Sequence, residues 1–573
     1  MVRSTMLRAL ATACALTALV APARAVASTT QESMLQDDNE LVYSSPDRVA
    51  AVLAQLASLG VERIRVSVIW ALVAPNPTST TRPNFDATNP AAYPAGAWDR
   101  YDVLVTDAQA DGIQVDFDVT SPAPYWATGH SPSSIPIKFK KNYLPSAVQF
   151  GQFVQAVGTR YSGSYAAPVP APPPTPTPTL FGLPLPPGLL GTPTPAPTPA
   201  TRAPLPRVDY WEIWNEPNEA GWLTPQWQRG PIRLIGARHK RRITTWIEQS
   251  PVTYRGLLDR AWSALGATGH GGDTILVGDT SAKGSVSHGI LPAMPPMTFL
   301  RALYCVGNSN RPLTGMRAAQ LSCPTSGQPG AFGAQHPGLL EASGYADHPY
   351  SFTLAPNIHS SNPAWATLAD LPRLERTLQR IFASYAVPAP DGVPLYLTEY
   401  GYKSNPPNPF VSTSPAQQAA YINEGEYMAW SDPYVRTLAQ FELVDAGPQT
   451  GEPVGTPAYW GTFQTGLISL AGVPKPSYFS YRIPIWLPSP RHGPRVTVWG
   501  QLRPANHAGP QTAIIEYEPA GTSAFKPIRS VQTASPQGFV VAHLALAQPG
   551  LLRIAWIDPG TGGVDHSRIV AVR

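Results

Sequence analysis

The sequence predicts an α/β protein in which a (β/α)8 TIM barrel is followed by a small all-β sandwich. Its 573 residues are too many for one compact core, so two domains are expected. From about residue 35 to residue 485, strand-like runs alternate with helix-like runs, a pattern typical of parallel strands joined by crossover helices. After Pro484 the chain changes to short β-rich runs separated by turn residues, which indicates the sandwich.

The N-terminus has the pattern of an export signal. Arg3 and Arg8 supply positive charge, a short apolar run follows, and residues 23–25 (Ala-Arg-Ala) form a small-x-small cleavage site. Cleavage after Ala27 is equally allowed, so we assign residues 1–27 to a signal peptide and expect a secreted, extracellular protein. No later stretch reaches the roughly 18 uninterrupted apolar residues that cross a bilayer, so no membrane span is expected.

The barrel is predicted over residues 28–484. Pro46 follows Ser45, a candidate N-cap, and Gly60 ends a run of apolar residues at helical spacing, which predicts a helix over Ser45–Leu59. The eight strand-like runs are Met34–Asp37, Arg63–Trp70, Gln114–Thr120, Val208–Trp214, Thr274–Val277, Gly344–Asp347, Leu395–Glu399 and Leu438–Leu443.

Residues 166–206 interrupt this pattern. Pro, Thr and Ala dominate the segment, a composition that favours extended conformations and cannot pack a core, so we predict a disordered insertion. Because strand-like segments lie on both sides of it, the segment is an insertion in the barrel and not a domain boundary.

The sandwich is predicted over residues 485–573. Its strand-like runs are Arg495–Gln501, Ala513–Glu518, Gly538–Leu546, Leu551–Asp558 and Arg568–Val572. No cluster of exposed aromatic residues marks this domain as a sugar-binding module, so a packing or spacer role is favoured over substrate binding.

Cysteine content and charge exclude several classes of partner. Cys305 and Cys323 remain after the signal is removed, and in an oxidising compartment a pair 18 positions apart predicts a disulfide, whereas two cysteines do not support a metal site. A net charge of +4 is too weak to indicate nucleic-acid binding. One basic cluster, interpreted as a solvated loop with an acidic sugar as the alternative ligand, contains Arg229, Arg233, Arg238, Lys240, Arg241 and Arg242.

Two predicted strands end in a glutamate. Val208–Trp214 runs into Asn-Glu-Pro, and because Pro217 cannot extend the ladder, Glu216 lies at the C-terminal end of its strand. A second apolar strand ends at Glu399. Reactive groups of βα barrels converge at these strand ends, and glycoside cleavage needs one proton donor and one nucleophile or base.

With these motifs the chain resembles the clan of retaining glycoside hydrolases, including families 5 and 39, that carries its acid/base on strand four and its nucleophile on strand seven. The resemblance covers roughly Met34 to Pro484. It rests on Asn-Glu-Pro, on Thr-Glu-Tyr-Gly about 180 residues later, on an arginine in the second strand and on a His-Pro-Tyr segment. It implies hydrolysis by double displacement without a metal or organic cofactor. The roles that it implies are acid/base for Glu216, nucleophile for Glu399, donor to the sugar 2-hydroxyl for Asn215, partner of the nucleophile for Arg65, and lining of the cleft for His348 and Tyr350.

Strand periodicity gives these assignments a separate physical basis. Residues two apart on a strand share a face, so the polar faces point into the barrel while the apolar faces meet the helices. Arg65 should therefore meet Asp116, Asp118 and Glu212, which we interpret as its structural partners. His348 fits a buried core histidine equally well.

Other polar and aromatic residues are candidates for the cleft. Asp37 and Asp38, near the end of the first strand, would hold substrate hydroxyls or form a turn. Sugars present C–H faces that stack on aromatic rings, and the tryptophans that best suit this role are Trp126, Trp222 and Trp460.

The predicted function is hydrolysis of O-glycosidic, mainly β-linked, bonds in poly- or oligosaccharides. The alternative is a non-catalytic carbohydrate-binding or cell-surface protein on the same barrel. A serine esterase or a metallopeptidase ranks last, since the sequence has no Gly-x-Ser-x-Gly elbow and no His-Glu-x-x-His helix. The sugar, the choice of internal or terminal cleavage and the oligomeric state stay open.

Overall fold

The computed structural model describes residues 27–28, 31–167, 179–180, 183–184, 203–233, 242–389, 392–489, 491, 493–503 and 509–573. The predicted signal peptide lies outside the described residues except for residue 27, and so does most of the predicted insertion.

Eight parallel strands close into a barrel, which confirms the predicted fold class. They are β1 (Glu32–Gln36), β2 (Arg63–Ile69), β3 (Gln114–Thr120), β4 (Tyr210–Ile213), β5 (Thr274–Ser281), β6 (Gly344–His348), β7 (Leu395–Tyr400) and β8 (Val435–Phe441). Each strand pairs with its neighbours in chain order, and β1 pairs with β8 to complete the ring.

Helices connect the strands and cover the outside of the barrel. The α-helices of the described chain are α1 (Asp38–Leu41), α2 (Pro46–Ser58), α3 (Trp70–Val73), α4 (Asp99–Ala110), α5 (Ala147–Arg160), α6 (Gln249–Ala267), α7 (Pro296–Leu303), α8 (Gly315–Gln320), α9 (Pro329–Gln335), α10 (Pro337–Glu341), α11 (Leu371–Ser384), α12 (Pro415–Ser431) and α13 (Pro476–Arg482). Helix α2 begins as predicted, because the Ser45 side chain accepts a hydrogen bond from the backbone N–H of Arg48 and Pro46 occupies the first turn.

Strand register brings polar residues together inside the barrel. Arg65 on β2 lies opposite Gln36 on β1 and Asp116 on β3, and Asp118 lies opposite Glu212 on β4. The alternate positions Ile64, Val66 and Val68 are buried in the hydrophobic core outside the ring. The period-2 pattern therefore separates a charged interior from an apolar layer under the helices.

The C-terminal residues form two antiparallel sheets. The strands are β9 (Ile485–Trp486), β10 (Arg495–Gln501), β11 (Gln511–Pro519), β12 (Lys526–Thr533), β13 (Phe539–Ala545), β14 (Gly550–Ile557), β15 (Val564–His566) and β16 (Val570–Val572). One sheet has the order β9-β10-β13, and the other has β12-β11-β14-β15 with β16 also paired to β14. Val498, Ile515 and Ile554 belong to one buried cluster between the sheets, which gives the predicted sandwich its core.

A hairpin in the loop after β4 was not predicted. Trp227–Arg233 pairs antiparallel with Arg242–Glu248, and the Arg229 guanidinium lies 4.8 Å from the centre of the Trp246 ring. A second, two-residue pairing joins Thr179–Leu180 and Leu183–Pro184 within the predicted insertion. Among the described residues, no helix is both long enough and apolar enough to span a bilayer.

Candidate active site

Glu216 and Glu399 face each other at the C-terminal end of the barrel. An oxygen of each carboxyl group and a ring nitrogen of His348 all lie within 4.8 Å of one another. The Glu399 side chain is 8% exposed, whereas the Glu216 side chain is 18% exposed. One carboxyl group of the pair is therefore buried, and the other reaches the cleft.

The turn after β4 presents Glu216. Trp214 and Glu216 adopt left-handed backbone conformations with φ of 72° and 36°, which non-glycine residues adopt only when their surroundings hold them there. The backbone N–H of Asn215 donates to Thr120 Oγ1 at 2.9 Å, and Trp214 Nε1 donates to the Trp222 carbonyl at 3.0 Å. These bonds fix the turn that points Glu216 into the mouth of the barrel.

Glu399 is held by two donors. Arg65 Nη1 donates to its Oε1 at 2.9 Å, and the Tyr350 hydroxyl donates to its Oε2 at 3.0 Å. Burial raises the pKa of Glu399 above its ordinary value, and the positive charges of His348 and Arg65 act against that rise. Each donor thus stabilises the ionised form of a carboxyl group whose pKa burial raises.

Arg65 is the central cation of the barrel interior and is fully buried. Besides Glu399, its guanidinium donates to Glu212 at 2.8 Å, Asp279 at 2.6 Å, Gln36 at 2.6 Å and Asn215 at 2.9 Å. A planar group with five donors can serve this many acceptors in fixed geometry, which an ammonium cannot. The expected partnership with Glu212 is present, and Asp118 lies 3.6 Å away.

The carboxyl groups below Arg65 outnumber their cations. Burial raises the pKa of Asp116 to about 6 and raises the pKa values of Asp118 and Glu212 well above the ordinary range. Among the described residues Asp116 has no ion pair with Arg65, and neither of its carboxyl oxygens has a hydrogen-bond partner. Protonation therefore limits the negative charge that the barrel interior has to bury.

His348 links both glutamates to the interior. Its Nδ1 lies 2.9 Å from Glu216 Oε1, and its Nε2 lies 2.7 Å from Asp279 Oδ1. Burial by itself lowers the pKa of His348, but the charges of Glu399 and Asp279 and the hydrogen bonds to Asp279 and Glu216 raise it well above the ordinary value. A ring with a carboxylate at each nitrogen is expected to carry both protons.

Glu216, His348 and Glu399 are also the one group of described residues with the spacing of a metal site. The set does not suit a cation, however. A doubly protonated His348 has no lone pair to offer, and the Arg65 guanidinium already neutralises Glu399 at 2.9 Å.

The three tryptophans selected from the sequence differ in their burial. Trp126 is buried, and its ring packs against Trp70 and Phe85 at 6.0 and 5.9 Å. Trp222 and Trp460 are half-buried in the loops after β4 and β8. The Phe352 and Phe463 rings lie beside Tyr350, at 6.2 and 6.3 Å between ring centres.

Asp279 is the main site residue that the sequence reasoning missed. It accepts from Arg65, His348 and Thr398. The predicted fifth strand stopped at Val277, although β5 continues to Ser281. The run of polar residues Asp279, Thr280 and Ser281 directly after Gly278 was the available signal.

Asp37 serves the fold. Its side chain accepts from the backbone N–H groups of Glu40, Leu443 and Val444, and it thereby ties the end of β1 to the segment after β8. Burial raises the pKa of Asp37 to about 7. Asp38 accepts from the backbone N–H of Ser67, so these contacts favour the turn interpretation for both residues.

The predicted disulfide is present. Cys305 and Cys323 are bonded in the segment between β5 and β6, with Cα atoms 5.8 Å apart. Arg255 lies on helix α6, and its Nη1 donates to Cys305 Sγ at 3.1 Å. This hydrogen bond connects the disulfide-bonded segment to the helix layer around the barrel.

No protein-family model and no curated protein sequence matches this chain. Solved structures similar to it include an exo-β-1,4-mannosidase from Opitutaceae bacterium strain TAV5, with 12% identity, 79% of this chain and 58% of the mannosidase covered, and a TM-score of 0.37. GH5_18 from Streptomyces cattleya in complex with GlcNAc has 12% identity, 81% and 83% coverage and a TM-score of 0.41. A family 1 β-glucosidase from Thermotoga maritima in complex with isofagomine lactam has 13% identity, 75% and 84% coverage and a TM-score of 0.41.

The chain thus spans less than two thirds of the length of the mannosidase. The eight-stranded parallel barrel itself agrees with the fold that the sequence resemblance implies.

Proposed function

We propose that this protein is a retaining glycosidase that hydrolyses β-linked O-glycosidic bonds, with Glu399 as the nucleophile and Glu216 as the acid/base. The observation that carries the proposal is the approach of an oxygen of Glu216 to an oxygen of Glu399 within 4.8 Å. Retaining enzymes place their carboxyl groups about 5 to 5.5 Å apart, whereas inverting enzymes leave about 6.5 to 9.5 Å for a water molecule.

The surroundings of the two glutamates support different roles. Arg65 and Tyr350 hold Glu399 from two sides and favour its ionised form, which a nucleophile requires. Glu216 is more exposed and accepts from His348 through one oxygen. Its second oxygen can carry the proton that a general acid gives to the leaving group.

The reaction follows in two balanced steps. A Glu399 oxygen attacks the anomeric carbon, the glycosidic C–O bond breaks, and Glu216 gives its proton to the departing oxygen. Glu216 then takes a proton from water, the water oxygen attacks the anomeric carbon, and the ester bond to Glu399 breaks. Both glutamates return to their starting states.

Asn215, Arg65, His348 and Tyr350 would act around this pair. Asn215 Oδ1 is held by Arg65 Nη2, which leaves its amide nitrogen to donate to a sugar hydroxyl. Trp222 and Trp460 remain proposed contacts for more distant parts of the substrate. The export pattern of residues 1–27 and the disulfide support a secreted protein.

Activity on a panel of aryl β-glycosides and β-glycans tests the proposal. We expect the wild type to cleave at least one substrate, Glu216→Gln and Glu399→Gln to lose most of that activity, and Glu341→Gln, at an exposed site on α10, to retain it. If no substrate is cleaved and a glycan binds equally to all four proteins, the non-catalytic binding protein replaces this proposal.

A further inference from the structure

Two half-buried lysines flank the candidate active site. Lys283 follows β5, and its carbonyl accepts from the side chain of Asn218, two residues after Glu216. Lys403 lies four residues after Glu399, with its carbonyl bonded to the N–H of Thr413. Each lysine thus belongs to the loop region that also carries or contacts one of the paired glutamates.

A row of aromatic rings lies between the two ammonium groups. Lys283 Nζ is 3.1 Å from the centre of the Phe352 ring, and Lys403 Nζ is 5.2 Å from the centre of the Phe463 ring. Both rings neighbour Tyr350, whose hydroxyl binds Glu399. The three rings thus connect the proposed nucleophile Glu399 to Lys283 on one side and to Lys403 on the other. The Phe463 ring belongs to a residue that is 39% exposed.

Among the described residues, neither ammonium forms an ion pair with a carboxylate. No carboxylate charge acts on the pKa of Lys283, and the one that acts on the pKa of Lys403 is that of Glu442. Burial raises the pKa of Glu442 well above the ordinary range, which disfavours the charged form of this neighbour. Aromatic faces attract a cation without neutralising it.

The unbalanced charge has an energetic consequence. Burial lowers the pKa of Lys283 to about 8, and it lowers the pKa of Lys403 as well. Desolvation therefore disfavours both ammonium groups, and an anion brought into the cleft would offset that cost. An aromatic surface with unpaired cations at its ends suits a sugar ring that carries a carboxylate.

We propose that Lys283 and Lys403 bind carboxylates of the substrate, so that this enzyme acts on glycans that contain uronic acids. The inference rests on the proposed glycosidase function and adds the substrate class. The Phe352, Tyr350 and Phe463 rings would contact the sugar faces, and the two lysines would select acidic units on either side of the cleavage point.

Matched aryl β-glycosides test this selectivity, in gluco and galacto pairs that differ only in CH2OH or COO⁻ at carbon 5. We expect a higher kcat/KM for the uronide in at least one pair. Lys283→Met and Lys403→Met should each lower the ratio of uronide to neutral kcat/KM about tenfold, the loss of one charged hydrogen bond. Lys283→Arg should retain most of the ratio, and Lys526→Met, at an exposed position on β12, should leave it unchanged.

Inhibition of the wild type gives a reading that needs no variant. The free uronate should inhibit at a lower concentration than the matching neutral sugar. Faster cleavage of neutral substrates, or a ratio unchanged in both methionine variants, overturns the inference while the glycosidase proposal stands. Failure to cleave any substrate overturns the glycosidase proposal, and the inference falls with it.

Discussion

Arg65 is the residue on which most of the barrel interior depends. Its guanidinium contacts Glu399, Glu212 and Asp279 at hydrogen-bond distance, and all of these groups are buried. A buried cation among several carboxyl groups is stable only while its partners remain, since each unpaired charge carries a desolvation cost. One side chain therefore serves both the fold and the proposed nucleophile.

Replacement of Arg65 tests this dual role. Arg65→Met is expected to lower the free energy of unfolding by about 3 to 5 kcal/mol, because it leaves buried carboxylates uncompensated. Arg65 lowers the pKa of Glu399, so its loss raises that pKa further and moves the acidic limb of the kcat/KM profile to higher pH.

The pH profile and chemical denaturation measure both effects. Arg65→Lys, which keeps the charge but not the planar fork, should fold better than Arg65→Met and show a smaller displacement of the limb. The exposed Arg48→Met variant is the control for both quantities. An acidic limb that stays in place or moves to lower pH in Arg65→Met would contradict the assignment.

Asp347 makes stability depend on pH. It is fully buried beside His348, Thr280 donates to one of its oxygens at 2.7 Å, and burial raises its pKa from 3.8 to about 8. The folded protein thus keeps a proton that the unfolded chain releases near pH 4, so this group's contribution to stability falls as pH rises from about 4 to 8.

Asp347→Asn removes that proton uptake. The variant is expected to have a higher Tm than the wild type at pH 8, and the difference in Tm should become smaller towards pH 4. Thermal unfolding at several pH values between 4 and 8 measures this difference. Asp47→Asn, exposed on α2, should show no such trend. A Tm difference independent of pH would show that Asp347 is ionised in the fold.

At the scale of elements, strand periodicity predicted the barrel well. The third strand matches Gln114–Thr120 at both ends, and the inward position of Arg65 followed from alternation alone. Strand β12 was not predicted, because it is largely exposed and has no alternation of apolar and polar residues. The hairpin after β4 was not predicted, because Gly, Pro and arginine residues interrupt its first strand.

The candidate site, like the strands, could be predicted only in part. Glutamates at strand ends could be found, because proline and aromatic neighbours mark where a strand stops. The loops could not be folded from sequence, so the aromatic neighbours of Tyr350 were missed, and Trp126 was selected although it packs between loops and helices. Side chains brought together by loops leave no periodic signal.

The disulfide stabilises the long excursion between β5 and β6. A closed loop of 18 residues corresponds to about 3 kcal/mol of lost entropy in the unfolded chain. The double variant Cys305→Ser with Cys323→Ser should therefore unfold about 3 kcal/mol more easily in denaturant, with kcat/KM nearly unchanged. A reductant should lower the free energy of unfolding of the wild type and leave that of the variant unchanged. Equal free energies of unfolding for the two proteins without reductant would refute the prediction.

At the scale of the whole molecule, one buried arginine joins the sandwich to the barrel. Arg503, just after β10, donates to Glu426 on α12 at 2.9 Å and to Ser33 on β1 at 2.8 Å. Burial raises the pKa of Glu426, and Arg503 acts against that rise. The sandwich thereby supplies a partner for a carboxylate that the barrel buries.

Arg503→Ala is expected to destabilise the protein by about 3 to 5 kcal/mol, because the buried Glu426 loses its ion-pair partner. Arg495→Ala, at an exposed position on the same sandwich sheet, should change stability by less than about 0.5 kcal/mol. Denaturant unfolding of the two variants measures the difference. Equal, small effects would mean that the barrel and the sandwich are stabilised independently.

Capture of the covalent intermediate tests the central assignment most directly. A 2-deoxy-2-fluoro-β-glycosyl fluoride of the sugar that the wild type cleaves should slow both steps but keep a good leaving group, so the glycosyl-enzyme accumulates. Peptide mass spectrometry should then locate the sugar on Glu399. A sugar on Glu216 or on another residue, or no adduct from an enzyme whose product has the inverted configuration, would contradict double displacement through Glu399.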